Sequence, residues 1–411
     1  MEGSRTSPQR SLRVSKPANS LLQNRINISI IFNYLRDHGA SYRARIARDL
    51  GISAPAVARA IGKLLNDEYA IESERIQMEN GRKAAQVSVN AERGYIIGVD
   101  LLADPIKLGI SDFSGTIRDT FLGLPKKQAE DFTAYLIASI DAALDDFQRK
   151  DPEKKARILA LGIGVPAVVD PRTGAILYAN YYENFMQSDF YERLVEHYPF
   201  PVFIENTANL SAIGEWKQGV GRGARNLVFI EYGNGIGAGI IFDGDLYRGA
   251  QGAAGEIGFF VTAPDGLGYD GSTIGYLESK ASLESMYRRG GMESGIAEVG
   301  YATAASLFDA ARSGDEKANG IIKTAIKHLT VAIVNILLLL NPELIIIGGA
   351  SCELPGADAL ILNPLIDAVR KYYPFAPAPI HLASIGANAC LVGSVQFALD
   401  SLVVHAYPYR L

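Results

Sequence analysis

Cysteine is scarce in this 411-residue chain, which contains only Cys352 and Cys390. Two distant thiols make neither a disulfide framework nor a cysteine metal cluster, and their scarcity suits a reducing compartment. We expect both to be small buried side chains. Long apolar runs are lacking too: the longest, residues 331–340, contains Asn335 and is shorter than the ~20 residues that span a bilayer. The first twenty residues lack the apolar segment of a signal peptide. A cytoplasmic protein without membrane contact is therefore expected.

Charge is unevenly distributed along the chain. Residues 1–93 contain 15 basic and 9 acidic side chains, whereas the remainder contains 25 basic and 36 acidic ones. A chain of this length is expected to form two or three domains. A basic segment ahead of an acidic body indicates that only the first segment meets a polyanion.

The first segment has the pattern of three helices. "NISIIFNYLRDHG" places Ile28, Ile31, Phe32 and Leu35 on one helical face, with Asn27 as the predicted N-cap. "SYRARIARDLG" predicts a short helix capped by Ser41, and "ISAPAVARAIGKLLNDEY" predicts a longer one after a turn at Gly51. Two β-like runs follow around Asn80-Gly81. This order is typical of a winged helix-turn-helix, whose last helix enters the DNA major groove.

Candidate DNA contacts follow from that geometry. The early positions of the last helix, with Ala56 among them, are small and expected to be exposed, and cations further along can reach phosphates or guanine. The residues assigned to DNA are Arg43, Arg45, Arg48, Ser53, Ala54, Pro55, Arg59, Lys63, Arg82 and Lys83. A small helical protein-interaction module with solvated charges is the alternative.

From Gly94 the pattern changes to strands separated by glycine-rich turns. Three consecutive strands, a helix from about Asp131 to Arg149 and a strand entering the loop Gly164-Val165-Pro166 are predicted. A second round begins at "NLVFIEYGNGIGAGIIFDGDLYRG" and ends in "PELIIIGGA". Two such rounds are expected in an actin-like, ribonuclease-H-like fold, with a ligand cleft between two lobes.

Several of these strings together resemble the ROK family (repressors, open reading frames and sugar kinases). They are "ENGRKAAQVSVN", "GYIIGVDL", "LGIGVPAVVD", "IENTANLSAIGE", "LVFIEYGNGIGAGIIFDGDLYRGAQGAAGEIG" and "LIIIGGA". ROK members with a preceding winged helix look like repressors of sugar catabolism, and shorter members look like sugar kinases. This chain has the long form.

Two departures from the kinase pattern are visible. Kinase members carry Gly-Gly-Thr after the first-strand Asp, whereas Asp100 is followed by Leu101-Leu102-Ala103-Asp104. Their Glu-Asn-Asp triplet, which ends in the catalytic base, is Glu205-Asn206-Thr207 here. A threonine hydroxyl is a very poor base, which forfeits general-base help of about 10²–10⁴-fold. The resemblance thus implies a non-enzyme with no catalytic residues and no cofactor.

The family's zinc ligands are absent as well. Phe259 stands at the family's His position, and "PDGLGYDGSTIGYLES" has no cysteine, so no metal is expected. Packing by Phe260, Tyr269 and Tyr276 must hold this loop instead.

Some of the residues with which ROK members bind a sugar are also present in this chain. Asn206 and Glu256 match the pattern, Glu278 is assigned to it, and Thr207 and Phe259 depart from it. The expected ligand-binding residues are Gly164, Pro166, Asn206, Thr207, Glu256, Phe259 and Glu278. The aromatic string from Leu177 to Phe185 is either a lip of the cleft or an ordinary surface loop. Asn206 and Glu256 either bind a ligand or merely cap local turns.

Together these observations predict an α/β chain with a disordered polar tail over 1–22 and a winged helix-turn-helix over 23–91. A two-lobed actin-like (ribonuclease-H-like) ATPase-type fold follows, with lobe 1 over 92–205 plus a C-terminal helix over 387–411, and lobe 2 over 206–386. The predicted function is that of a DNA-binding regulator, most simply a repressor, which acts as a homodimer or higher oligomer on double-stranded operator DNA and responds to a sugar or sugar derivative. A sugar kinase with a DNA-binding head and a DNA-binding protein with a vestigial sensor are the alternatives.

Overall fold

The computed structural model describes residues 20–74, 76–77, 83–125, 131–150, 152, 157–179, 189–269, 274–290 and 301–406. Contacts divide the chain into two units. One comprises residues 1–90 with 403–411, and the other comprises residues 91–402.

Three helices and short strands form the N-terminal unit. They are α1 (Ser20–His38), β1 (Ser41–Tyr42), α2 (Arg43–Leu50), α3 (Ala54–Asn66), β2 (Ala70–Glu72), β3 (Ile76–Gln77), β4 (Lys83–Ala84) and β5 (Gln86–Val89). The predicted inward face of α1 is confirmed, because Ile28, Ile31, Phe32 and Leu35 are all buried. Strand β5 pairs antiparallel with β1 and β2, and β3 pairs with β4.

Two helix starts differ from the sequence prediction. Helix α1 begins at Ser20, not after Asn27, because the leucine, glutamine and arginine of "SLLQNRI" favour helix and extend it upstream into the predicted tail. Helix α2 begins at Arg43, and Ser41 lies in β1 instead of capping the helix. Pairing of Ser41 with Val87 holds this residue in extended backbone.

The body contains two five-stranded sheets of the same topology. The elements of the first half are β6 (Tyr95–Asp100), β7 (Lys107–Asp112), β8 (Ile117–Leu122), α4 (Phe132–Lys150), β9 (Ile158–Val165), β10 (Val168–Val169), β11 (Ile176–Tyr178), α5 (Phe190–His197) and β12 (Val202–Asn206). The sheet order is β12-β9-β6-β7-β8. The pairs β12–β9 and β9–β6 are parallel, and the pairs β6–β7 and β7–β8 are antiparallel.

The second half repeats this plan. Its elements are α6 (Thr207–Gln218), β13 (Leu227–Tyr232), β14 (Ile236–Phe242), β15 (Asp245–Leu246), α7 (Tyr276–Ala281), α8 (Leu283–Gly290), α9 (Tyr301–Arg312), α10 (Glu316–Leu340), β16 (Leu344–Gly348), α11 (Asn363–Tyr372), β17 (Ile380–Leu382) and α12 (Ala389–Ala406). The order β15-β14-β13-β16-β17 mirrors the first sheet strand for strand. The two rounds of strands predicted from the sequence are therefore present.

Helix α12 packs closely on the first sheet at glycines. A Cβ atom at Gly98 would lie 2.5 Å from the Ser394 hydroxyl, and one at Gly109 would lie 3.2 Å from the Leu391 side chain. Helices α10 and α12 each contain a stretch long and apolar enough to cross a membrane by length and composition alone. In both, more than half of that stretch is buried inside the protein, as in core helices.

Candidate functional site

The exposed face of α3 carries small residues and cations. Ala54, Pro55, Arg59 and Lys63 are exposed, as is Ser53 just before the helix. Ala56 is buried at 9% exposure, so its predicted exposure is wrong. It faces inward because it lies one turn before Ala60, which is fully buried. Ala58, like Ala54, is exposed.

Most predicted DNA-contacting cations of the N-terminal unit already have acidic neighbours. Arg45 and Arg48 both contact Asp49, at 3.3 and 3.1 Å. The other two pairs are Arg43 with Glu72 at 2.6 Å and Lys63 with Asp67 at 2.8 Å. Exposed pairs of this kind are worth about 0–1 kcal/mol and open readily.

Arg59 differs, since no acidic side chain among the described residues pairs with it. Arg82 lies outside the described residues, and for Lys83 only the backbone is described.

Asn206 closes β12 and caps α6. Its Oδ1 atom accepts hydrogen bonds from the backbone N–H groups of Ala208 and Asn209, at 2.8 and 3.2 Å. Its Nδ2 atom donates to the carbonyl oxygen of Ala167, at 2.9 Å. The capping alternative is thus present in the structure, and it leaves only one Nδ2 hydrogen for a ligand.

The Gly164-Val165-Pro166 loop lies beside this cap. Ala167 N–H donates to Val165 O at 2.9 Å, which makes a γ-turn centred on Pro166. A side chain at Gly164 would crowd Cys390 Sγ, 2.6 Å from the Cβ position. Thr207 is buried at 4% exposure as the first residue of α6. Close packing thus explains the glycine, and burial limits what the Thr207 hydroxyl can reach.

A buried ion pair that sequence reasoning missed joins the two halves. Arg248 Nε lies 2.6 Å from Glu205 Oε2, and Glu205 is only 4% exposed. The other carboxylate oxygen accepts from Asn209 Nδ2 at 2.9 Å. Both residues lay within the strings that carried the family resemblance, but nothing in one sequence indicates that they meet.

Two carboxyl groups of the predicted ligand set lie together. Burial, and then the charge of Glu278, raise the pKa of Glu256 to about 7. Glu278 is 6% exposed, and its Oε2 atom accepts the backbone N–H of Ile236 at 3.0 Å. No described residue hydrogen-bonds the Glu256 carboxyl, so Glu256 remains available to hydroxyl donors.

Phe259 extends this site across the two halves. It ends the short 3₁₀ helix Ile257–Phe259, directly after Glu256. Its ring lies 6.1 Å from that of Tyr178 at the end of β11. Tyr178 belongs to the string from Leu177 to Phe185, whose residues 180–185 lie outside the described residues. We call the predicted ligand residues Asn206, Glu256, Phe259 and Glu278 the interlobe site, after their expected place between the two lobes.

A second acidic pair lies where β6 and β13 end. Asp100 is 4% exposed, and burial raises its pKa. Burial, and then the Asp100 charge, raise the pKa of Glu231 to about 7. Leu102 stands where the kinases have a glycine after this Asp. Its backbone N–H donates back to Asp100 Oδ1 at 2.9 Å. The two buried acids therefore disfavour each other's charged form.

Aromatic and polar contacts hold the loop after Phe259. Tyr276 donates its hydroxyl to Asp265 at 2.8 Å, and Tyr269 packs edge-on against Tyr276 at 5.6 Å. Phe260 packs against the core of the second half. His328 of α10, which the sequence did not single out, hydrogen-bonds Thr262 at 2.6 Å. Among the described residues, no group of three His, Cys, Asp or Glu side chains is placed to hold a metal ion.

Comparison with known proteins gives one consistent result. A xylose repressor of Caldicellulosiruptor bescii is 28% identical over 398 residues, which are 94% of this chain and 98% of the relative. A glucokinase of Halalkalibacterium halodurans is 31% identical over 319 residues, 74% of this chain and 94% of the relative. The solved structure of a ROK-family transcriptional regulator, a homologue of the Escherichia coli MLC protein, superposes with a TM-score of 0.73 at 19% identity, covering 94% of this chain and 99% of that one. The model of the ROK family matches residues 96–401, and the chain belongs to this family.

Proposed function

We propose that the protein is a DNA-binding transcriptional repressor that responds to a sugar or sugar derivative. The observation that carries this proposal is the extent of the match. The xylose repressor aligns over 94% of the chain, N-terminal unit included, whereas the glucokinase aligns over 74%. The extra unit is the one with the basic charge balance.

The order of helices and strands in the N-terminal unit supports a winged helix-turn-helix. Helices α2 and α3 are separated by a tight turn at Gly51, whose φ of 65° is left-handed. In such a motif α3 lies in the major groove, where Ala54 and Pro55 permit close approach and Arg59 reaches a base or phosphate. One such motif covers a short site, so we propose a homodimer or higher oligomer in the cytoplasm that binds two half-sites of operator DNA.

The interlobe site supplies the ligand contacts in this proposal. Carboxylates accept hydrogen bonds from paired sugar hydroxyls, and Phe259 offers a ring face to the apolar side of a sugar. A ligand acts on DNA only through its different affinity for two states of the protein. We propose that closure of the two halves on the sugar is that change.

The test uses a DNA duplex selected by the unliganded protein from a random pool. A thermal-shift screen of pentoses, hexoses, amino sugars and their phosphates identifies the ligand, since binding to the native state raises apparent stability. Fluorescence anisotropy then gives the affinity for the duplex with and without that sugar. We expect a loss of DNA affinity with one sugar. An affinity that no sugar changes contradicts the sensor and leaves the vestigial-sensor alternative.

A sugar kinase with a DNA-binding head is the second candidate, favoured by the 31% identity to a glucokinase. Against it stand Thr207 at the position of the catalytic base and Leu101-Leu102-Ala103-Asp104 in place of the Gly-Gly-Thr of the kinases. ADP release from ATP with each sugar of the panel separates the two. Turnover supports the kinase, and its absence throughout the panel supports the repressor.

A further inference from the structure

The loop that lacks the zinc ligands of the family has a set of contacts of its own. Thr262, Asp265, Tyr276, Lys280 and His328 form what we call the tyrosine cluster. Tyr276 lies at its centre. Its hydroxyl donates to Asp265, its ring lies edge-on to His328 at 6.0 Å, and Lys280 Nζ lies 5.0 Å from its ring centre. Thr262 and His328 share the hydrogen bond of 2.6 Å.

The cluster ties three separate segments together. Thr262 and Asp265 belong to the loop, Tyr276 and Lys280 to α7, and His328 to α10. Helix α10 is the long helix of the second core, with 11 buried residues, so it provides a fixed support. Burial, and then the Lys280 charge, lower the pKa of His328. The ring is therefore neutral at pH 7 and keeps both an acceptor and a donor nitrogen.

The cluster lies directly against the interlobe site. Tyr276 begins α7, and Glu278 follows two residues later on the same short helix. Gly275, just before Tyr276, is pressed on the backbone of Gly258 and Phe259, where even a Cβ atom would overlap. A shift of Tyr276 must therefore move Glu278 along its helix and Phe259 through the backbone contact.

We propose that the tyrosine cluster is a metal-free clamp that positions Glu278 and Phe259 for the ligand. Its members are positioning residues, since none of them belongs to the interlobe site itself. The inference rests on the proposed function for the identity of the ligand, but the clamp can be tested without any ligand.

Hydrogen exchange of the unliganded full-length protein is the first test. Tyr276→Phe removes the bond to Asp265 and keeps the ring. We expect protection to fall about tenfold in the peptides that cover residues 257–260 and 276–281, as for the loss of one hydrogen bond to a carboxylate. Tyr198→Phe is the matched control, because it removes a tyrosine–aspartate bond of 3.2 Å in the first half and should leave these peptides unchanged.

Rescue separates positioning from general stability. His328→Ala should lower protection as Tyr276→Phe does. His328→Asn places a side-chain amide near the position of the histidine Nδ1 atom, where it can still hydrogen-bond Thr262. This variant should therefore keep most of the protection that His328→Ala loses. Unchanged protection in Tyr276→Phe overturns the clamp. An equal loss across both sheets also overturns it, because the cluster would then be ordinary packing.

The ligand arm uses the sugar that gives the largest thermal shift with the wild-type protein. In Tyr276→Phe we expect about tenfold more of that sugar to be needed for half-release of the selected duplex, with unchanged DNA affinity in its absence. An unchanged sugar requirement overturns the positioning role. If no sugar shifts the wild-type protein, the proposed sensor fails, while the hydrogen-exchange result still decides the clamp.

Discussion

At the scale of single residues, the environment of Glu256 disfavours its charged form. The carboxyl is buried beside Glu278, which holds its pKa near 7, against 4.5 for an ordinary glutamate. The native state therefore keeps a proton that the unfolded chain has released. Stability from the protonated carboxyl is full below about pH 4.5 and is lost as the pH rises through 7.

Replacement of Glu256 should remove this pH-dependent loss of stability. In urea unfolding, we expect the wild-type protein to lose about 2–3 kcal/mol more than Glu256→Gln between about pH 5 and about pH 8. The exposed Glu192→Gln serves as the control and should follow the wild type. Parallel pH profiles for Glu256→Gln and the wild type would show that Glu256 ionises at its ordinary pKa.

The Glu205–Arg248 pair allows a second test at this scale. Arg248→Met leaves the Glu205 charge buried without its partner, and such a change costs about 3–5 kcal/mol. The double variant Glu205→Gln/Arg248→Met should regain most of this loss. Arg225→Met breaks a pair whose two side chains are 71% exposed, and should cost less than about 1 kcal/mol. Similar costs for Arg248→Met and Arg225→Met in urea unfolding would contradict a buried role.

At the scale of elements, helices α6 and α12 approach each other at two glycines. A Cβ atom at Gly393 would overlap the carbonyl oxygen of Leu210, and one at Gly214 would overlap that of Ala389. Helix α6 directly follows Asn206 of the interlobe site, and α12 packs on the first sheet. The crossing therefore holds α6 in place, and Asn206 of the interlobe site caps this helix.

Substitution of the glycine at this crossing should be costly although alanine favours helix. We expect Gly393→Ala to destabilise the protein by about 1–3 kcal/mol through overpacking. Gly320, also inside a helix, faces open space, with no neighbouring atom within 4 Å of the position that an alanine methyl group would take. Gly320→Ala should therefore stabilise by about 0.5–1 kcal/mol. Thermal unfolding compares the two, and equal signs would contradict the close crossing.

Helix α3 provides the element-scale test of DNA binding. Arg59→Ala should weaken binding to the selected duplex by about 1–3 kcal/mol if the side chain contacts a base. Removal of a phosphate contact would instead weaken binding to all DNA sequences alike. It would also reduce the salt slope, which is the slope of log affinity against log salt concentration, by about one. Arg225→Ala in the body is the matched control. Unchanged affinity with an unchanged salt slope would remove Arg59 from the interface.

At the scale of the whole molecule, sequence periodicity predicted the repeated sheets because their inner strands, such as β9 and β16, are local apolar runs. The buried face of α1 was also predictable from the spacing of Ile28, Ile31, Phe32 and Leu35. The contacts between distant segments were not predictable. Glu205 meets Arg248, and Thr262 meets His328, only after the chain has folded, and one sequence contains no signal for such pairs. Ala56 was misplaced because alanine fits either face of a helix.

In the proposed function, one molecule couples a sugar site to a DNA-binding unit. Coupling between two binding sites is reciprocal, so each ligand must change the affinity of the other by the same factor. Isothermal titration of the sugar found by the screen, with and without a saturating amount of the selected duplex, measures this directly. We expect DNA to weaken sugar binding by the factor by which the sugar weakens DNA binding. A sugar affinity that DNA leaves unchanged would show that the two sites are not coupled.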